Sequence, residues 1–367
     1  MKHKKIVLVA PKLSTKGGPG LFADNWTRFA EDYEIILYNT ARKPNRNDNF
    51  LKRSFQRKFY SYYETFKKIL KYNNFIKKNK ASGIHIKIGC PAAIFWEGVV
   101  YFFLSKIYTT KIILHSYSHL DSYYYTTNRL NKKVFEMIFK YSQNNIVLAK
   151  SHVKLLESFN EDVYVDYIPT HIDLVTHTKF SSVRGKFNKG KFLFVAGIYP
   201  TRKGIIDIFI ALNLISKNKD RDIFVDIIGG FNSDIFKSLV SNLGIDRKVK
   251  FHGFVENKKR DELYRSCCAL LLPSYLEGFP HVILEAMYQG VPIIATNIAG
   301  IPDAIVDNEN GLLMEPGDYS KLAHNMIKLS NNDLLRDKLI SKSKLKVKNY
   351  SLDKVGKQLL TIYNRVY

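Results

Sequence analysis

Residues 269–295, ALLLPSYLEGFPHVILEAMYQGVPIIA, decide the fold. Ala269 to Leu272 read as a short apolar strand. A loop containing Gly278 follows. Pro280 suits the first turn of a helix, where its missing N–H costs least. The helix runs through Gln289 and stops at Gly290, and Pro292 to Ala295 form the next strand. Strand, loop, helix, strand is the unit of a parallel α/β sheet. The same theme recurs at Ile6–Ala10, Glu34–Tyr38, Ile84–Ile88, Lys111–Leu114 and Asn145–Leu148, then at Phe192–Val195, Phe224–Ile228 and Val249–Phe251.

The 367 residues exceed one ordinary domain and fit two. With 46% hydrophobic and 25% charged residues, both halves can build cores and the chain is not of the disordered class. A polar stretch from Thr176 to Gly190 reads as the linker. The expected organisation is an N-terminal domain over 1–180, a C-terminal domain over 190–350, and a helix in 351–367 that crosses back to the first domain. Two doubly wound domains facing one another place a ligand cleft at the carboxyl ends of their strands.

Three cysteines, Cys90, Cys267 and Cys268, exclude a disulfide scaffold and fit a reducing compartment. The apolar run Ile6–Ala10 is too short for a signal peptide. Ala92–Leu104, interrupted by Glu97, falls short of the ~20 residues that span a bilayer. A soluble or peripheral cytoplasmic protein is therefore expected. The net charge is +24, part of which follows from a Lys-, Asn-, Ile-, Phe- and Tyr-rich composition of the kind an AT-rich genome encodes. The densest segment, Arg42–Lys80, sets 13 basic residues against Asp48 and Glu64. Phe55, Phe59, Tyr62, Phe66 and Ile69 recur within it at helical spacing. Such a helix either meets an anionic membrane interface with an aromatic face or packs that face on the domain core. No helix-turn-helix, zinc-finger or RNP signature accompanies the charge, so a nucleic-acid partner is not expected and a basic nucleic-acid-binding protein stays open only as an alternative.

A helix that starts behind a glycine loop offers unpaired N–H groups to an anion such as a diphosphate. Glu277 precedes that helix and Glu285 lies on it, so the two carboxylates can meet different parts of one extended ligand. Beyond this pair, the string Glu-Gly-Phe-Pro-x-Val-x-Leu-Glu-Ala-Met from Glu277, the following Gly-x-Pro-Ile-Ile-Ala-Thr, and Phe251-His252-Gly253-Phe254-Val255 upstream all resemble the retaining glycosyltransferases of family 4. So do Gly300-Ile301-Pro302-Asp303, Asn310-Gly311-Leu312-Leu313 and Glu315-Pro316-Gly317-Asp318 downstream. Order and spacing agree over about residues 190 to 320.

The resemblance implies the GT-B fold, with two Rossmann-like domains, and transfer of a hexosyl group from a nucleotide-diphosphate sugar with retention. The donor counts as substrate, and neither cofactor nor metal is expected. The likeness implies that Glu277 contacts hydroxyls of the donor sugar and Glu285 the ribose. Backbone around Gly278, Phe279, Pro280, His281, Val282 and Ile283 takes the diphosphate, Lys203 binds phosphate, and Gly253 and Phe254 flank the base. The family's usual arginine after the strand-end glycine is replaced here by Ile198, and Arg202 is the candidate substitute. Gly18, in the loop Lys16–Gly20, matches the family's glycine loop. His115 matches a strand-end histidine placed near the anomeric carbon, with His119 as second choice. The acceptor implied is a glycan, here expected on a polyprenyl-diphosphate lipid in capsule, O-antigen or exopolysaccharide synthesis.

Other readings are weaker. Gly18, Gly20 and Ala23 fit a dinucleotide fingerprint, but the next strand ends at Tyr38-Asn39 without the acidic residue that ribose recognition needs. Asp220-Arg221-Asp222 spells a metal-nucleotide motif but sits in a polar loop, so no metal role follows. A phosphorylase or sugar-nucleotide epimerase would share the two-domain cleft and stays open as an alternative.

Overall fold

The computed structural model describes residues 4–11, 26, 32–40, 54–89, 92–174, 188–217 and 222–367, with the side chains of all but 54–66 and 92–93. The chain divides into two units, Met1–Ile168 with Gly356–Tyr367, and Pro169–Val355. The division falls ahead of the expected Thr176–Gly190 linker, of which the residues up to 187 lie outside the described set.

The first unit holds a parallel sheet of β1 (Lys4–Ala10), β2 (Tyr33–Asn39), β3 (Gly83–Ile88), β4 (Ile112–Ser116), β5 (Asn144–Val147) and β6 (Val165–Tyr167). Their order is β2-β1-β3-β4-β5-β6. Its helices are α1 (Ser54–Asn79), α2 (Ala92–Lys106), α3 (Leu120–Thr126), α4 (Arg129–Tyr141) and α5 (Lys150–Glu157). Alternate residues of the central strands, among them Val7, Val9, Ile84, Ile86, Ile112 and Leu114, face α1, α2 and α4, which contribute Tyr72, Ile76, Phe95, Phe102, Phe135 and Phe139 to one core. Burial of both sheet faces explains the uninterrupted apolar run of β1.

The second unit holds β7 (Lys191–Gly197), β8 (Phe224–Gly229), β9 (Val249–Gly253), β10 (Ala269–Leu272), β11 (Ile293–Thr296) and β12 (Leu312–Met314). Between them lie α6 (Ile205–Ser216), α7 (Asp234–Asn242), α8 (Asn257–Ser266), α9 (His281–Gln289) and α10 (Ile301–Ala304), followed by α11 (Tyr319–Asn331) and α12 (Asp333–Val347). The order is β12-β11-β10-β7-β8-β9. Strand sequence reverses between β7 and β10, so the connections leaving their carboxyl ends diverge, which is where doubly wound sheets bind ligands. Helix α6 is apolar almost all round because it is buried, and its Ile208, Phe209 and Leu212 pack on Phe192 and Phe194 of β7.

Helix α13 (Leu352–Val366) begins in the second unit and ends in the first. Trp26 Nε1 donates to Tyr363 Oη (2.9 Å), Tyr33 Oη donates to Asn364 Oδ1 (2.6 Å), and Arg365 pairs with Asp166. Gly83 is required beneath it, since a Cβ there would lie 2.0 Å from the Tyr367 ring. Among the described residues no helix is long and apolar enough to cross a membrane.

Candidate functional site

Two loops meet at the reversal point of the second sheet. The loop after β7 runs from Gly197 to Gly204, both with positive φ (62° and 80°), and Gly204 caps α6. It lies against the loop after β10 so closely that a Cβ on Gly204 would sit 2.0 Å from the Pro273 carbonyl oxygen. The Tyr275 amide donates to the Arg202 carbonyl across the same seam (2.8 Å). This backbone seam brings Lys203 Nζ within 2.8 Å of Glu277 Oε1. Ser274 Oγ donates to the same oxygen (2.9 Å), and Thr296 Oγ1 in turn donates to the Ser274 carbonyl (2.7 Å). Among the described residues none hydrogen-bonds Glu277 Oε2, although the side chain is only 10% exposed.

Helix α9 starts beside this pair. Pro280 is its N-cap (φ −75°, ψ 122°), one step ahead of the first-turn position expected from sequence, and no side chain caps the helix. The first-turn amides therefore depend on something outside the helix. Two of the six residues expected to give amides do not: Pro280 has none, and the Ile283 amide donates to the Pro280 carbonyl (3.2 Å) while its side chain anchors the helix in the core. Gly278, Phe279 and Val282 are among those that remain. The turn is fixed from behind. The Gly300 amide donates to Gly278 O (2.8 Å), and a Cβ on Gly300 would approach that oxygen to 2.6 Å. Thr170 Oγ1 donates to the Phe279 carbonyl (3.1 Å), and the Phe279 ring packs on Tyr350 (5.3 Å between centroids).

Glu285 has protein partners on both oxygens. Arg260 reaches Oε1 (3.5 Å) and Tyr264 Oη donates to Oε2 (3.0 Å). Burial, and then the adjacent carboxylate, hold the Tyr264 phenol well above its ordinary range, so it stays a donor. Gly253 ends β9 with φ 66°, and Phe254 beside it is 60% exposed. His252 turns away from that edge, its Nε2 2.7 Å from Asp226 Oδ1, while Lys191 Nζ takes Oδ2 (2.7 Å). The Arg202 guanidinium lies over the Tyr199 ring (4.9 Å).

The candidates of the first unit fare differently. Gly18 and its loop lie outside the described residues, as do Asp220 and Arg221. The strand expected to end at Leu114 continues to Ser116, so His115 is a β4 residue, 1% exposed, and not part of the following loop. Its Nδ1 is 3.2 Å from His85 Nε2, and His85 Nδ1 is 2.6 Å from Tyr363 Oη. Burial lowers the His85 pKa to about 3. The neutral ring has one donor and one acceptor nitrogen to share between Tyr363 and His115. His119, the second choice, caps α3 and is half-buried against Ser118 (3.1 Å).

Lys87, buried on β3, has its pKa lowered by burial from 10.5 to about 7. Below about 7 the folded state carries a buried ammonium. Between about 7 and 10.5 the unfolded chain holds a proton the folded one lacks, so stability rises with pH in that window. Lys87→Met is expected to raise the melting temperature most near the acid end of the window and least near its alkaline end. The difference is on the order of a few kcal/mol. A gap between variant and parent that does not change with pH contradicts this.

Ser274, Tyr264, Arg260 and Asp226 were not singled out by sequence. The Thr170 hydroxyl supports the Phe279 carbonyl. Gly300 belongs to a noted string, but its close approach to Gly278 is visible only in three dimensions.

Residues 177–346 match the family model of glycosyl transferases group 1. A D-inositol 3-phosphate glycosyltransferase of Corynebacterium efficiens is 26% identical over 179 residues, 47% of this chain and 42% of that protein. The capsular polysaccharide biosynthesis glycosyltransferase CapM of Staphylococcus aureus is 32% identical over 102 residues, 28% of this chain and 27% of that one. The chain thus spans less than half the length of these relatives. Over 99% of both chains it superposes on sucrose-phosphate synthase of Thermosynechococcus elongatus (TM-score 0.78, 17% identity). It also superposes on Anabaena HepE, solved in complex with UDP (TM-score 0.74, 15% identity, 99% and 100% of the chains). The fold is GT-B, and residues 177–346 carry the likeness to the group 1, family-4-like glycosyltransferases.

Proposed function

We propose that this protein is a retaining glycosyltransferase that moves a hexosyl group from a nucleotide-diphosphate sugar to a glycan acceptor carried on a polyprenyl-diphosphate lipid. The observation that carries the reading is the Lys203–Glu277 pair (2.8 Å) set beside the uncapped start of α9. A cation and a row of amides at one point suit a diphosphate, and a carboxylate oxygen left over suits sugar hydroxyls. The nucleotides in HepE, solved also with UDP-glucose, support a donor of this class. The name of CapM supports a place in surface-polysaccharide assembly.

In this mechanism Glu285, oriented by Tyr264 and Arg260, accepts from the ribose, and the Gly253–Phe254 edge borders the base. Glu277 holds Lys203 in place through Oε1 and orients the sugar through Oε2. The acceptor hydroxyl attacks the anomeric carbon on the face from which the nucleoside diphosphate leaves. The bond to the diphosphate oxygen breaks, its electron pair stays on that oxygen, and the proton of the acceptor hydroxyl passes to the departing diphosphate. Charge there is met by α9 amides and Lys203, with Arg202 as a further cation, so the reading calls on no metal ion. No protein nucleophile is assigned.

Product analysis with an array of labelled nucleotide sugars, with and without lipid-linked acceptor, tests this reading. Acceptor-dependent release of nucleoside diphosphate, with label in a lipid-soluble product of unchanged anomeric configuration, is expected. Release of sugar phosphate, or an epimerised nucleotide sugar formed without acceptor, would assign the site to a phosphorylase or an epimerase instead.

A further inference from the structure

Helix α2 has two apolar faces where a surface helix of a globular domain needs one. Phe95, Val99 and Phe102 are turned into the core. Trp96, Val100, Phe103 and, just beyond the helix, Ile107 recur at i, i+4, i+7 and i+11 and share the outer face. Trp96 is 38%, Phe103 44% and Ile107 71% exposed. Scattered exposed apolar residues are ordinary, but a row of them with two aromatic rings marks a contact surface.

Helix α1 runs alongside. Lys68 pairs with Glu97 (3.5 Å), Tyr72 Oη meets Ser105 Oγ (2.7 Å) and Tyr108 Oη donates to Asn73 Oδ1 (2.8 Å). Its Lys67, Lys71, Lys77 and Lys78 are exposed. From residue 67 to residue 106 the chain has eight lysines and one acidic residue, Glu97, which Lys68 already neutralises.

We propose that the outer face of α2 seats in the headgroup region of an anionic bilayer, with the α1 lysines on the lipid phosphates. Charge selects this occupant. A second copy of the chain would bring two lysine-rich faces together, whereas anionic lipid complements them. The 15 residues of α2 make a helix of roughly 22 Å, too short to span but suited to lie in the interface plane, where tryptophan and other aromatic rings are favoured. The side chains of Phe55, Phe59, Tyr62 and Phe66 on α1 lie outside the described residues, and the aromatic contact proposed here is that of α2. Of the α1 stripe, Ile69 is half-buried, and Tyr72 and Ile76, which continue it, are core residues. The proposal supplies a surface for the lipid-linked acceptor and requires nothing of the donor site.

The chain has two tryptophans, and Trp26 is 2% exposed, so a change in emission on binding reports Trp96. Mixing with phosphatidylcholine–phosphatidylglycerol vesicles at low salt is expected to shift the emission to the blue and make it quenchable by brominated lipid. Pure phosphatidylcholine and high salt weaken binding. Phe103→Ser with Ile107→Ser is expected to lower partitioning by roughly tenfold or more. Lys67→Glu with Lys71→Glu removes the preference for phosphatidylglycerol, and Trp96→Phe binds without the shift. Absence of low-salt binding, or binding without a Trp96 signal, overturns the proposal. So does a concentration-dependent dimer that the Phe103→Ser, Ile107→Ser change dissociates while vesicle binding persists. Transfer to a water-soluble acceptor by the same variants, expected to be unchanged, separates this surface from the donor reading: its loss in the parent protein with vesicle binding intact counts against the donor site alone.

Discussion

Turnover of the Lys203→Ala variant with its native donor and acceptor is expected to fall by roughly 10²-fold or more, with a smaller effect on KM. Two effects add. The departing diphosphate loses a cation fixed 2.8 Å from Glu277 at the mouth of α9, and charge forming there is stabilised only by amides and by Arg202, whose guanidinium is stacked on Tyr199. Glu277 also loses its cation and is held by Ser274 alone, so the carboxylate assigned to the sugar is less well placed. Lys203→Arg restores charge but not its position, because a planar fork on a longer stem cannot occupy the site of a compact ammonium. It is expected to recover part of the loss. Steady-state kinetics on both variants measure this, and parental turnover in Lys203→Ala removes Lys203 from the diphosphate site.

Gly204→Ala is expected to destabilise the second unit by roughly 3 kcal/mol or more, through left-handed strain and overpacking together. The backbone there has φ 80°, and the new methyl would lie 2.0 Å from the Pro273 carbonyl oxygen. That oxygen belongs to the backbone, so relief requires the β7 and β10 loops to part, and with them Lys203 and Glu277. Gly253 is the control. Its φ is 66° but nothing lies within 4 Å of an added Cβ, so Gly253→Ala carries strain alone, about 1–2 kcal/mol. Denaturant unfolding of the two variants separates the effects. Equal stability would mean that the two loops are not locked together as described.

The parallel strands were legible because burial on both sheet faces leaves unbroken apolar runs, as in Ile6–Ala10 and Ala269–Leu272. Strands β6 and β12 escaped notice because three residues carry no period. Gly290 as the end of α9 followed from turn chemistry. The partners that arm the site were not legible. Ser274, Tyr264 and Arg260 act on carboxylates up to 25 positions away in sequence, and a serine or tyrosine looks the same whether it supports a site or faces water. His115 was misplaced for a related reason: a polar residue at a strand end reads as the start of a loop. Here the adjoining His85 and the Tyr363 hydroxyl, 248 positions downstream, let β4 continue through it.

The hydroxyl of Tyr363 and the ring of Tyr367 complete a core whose sheet is made of residues 4 to 167. During synthesis that sheet leaves the ribosome well before residues 356–367, whereas the second unit, continuous from Pro169 to Val355, emerges whole. The later-translated domain is therefore the one able to finish folding first, and the earlier one must wait, its histidine-bearing surface open, for the segment that closes it.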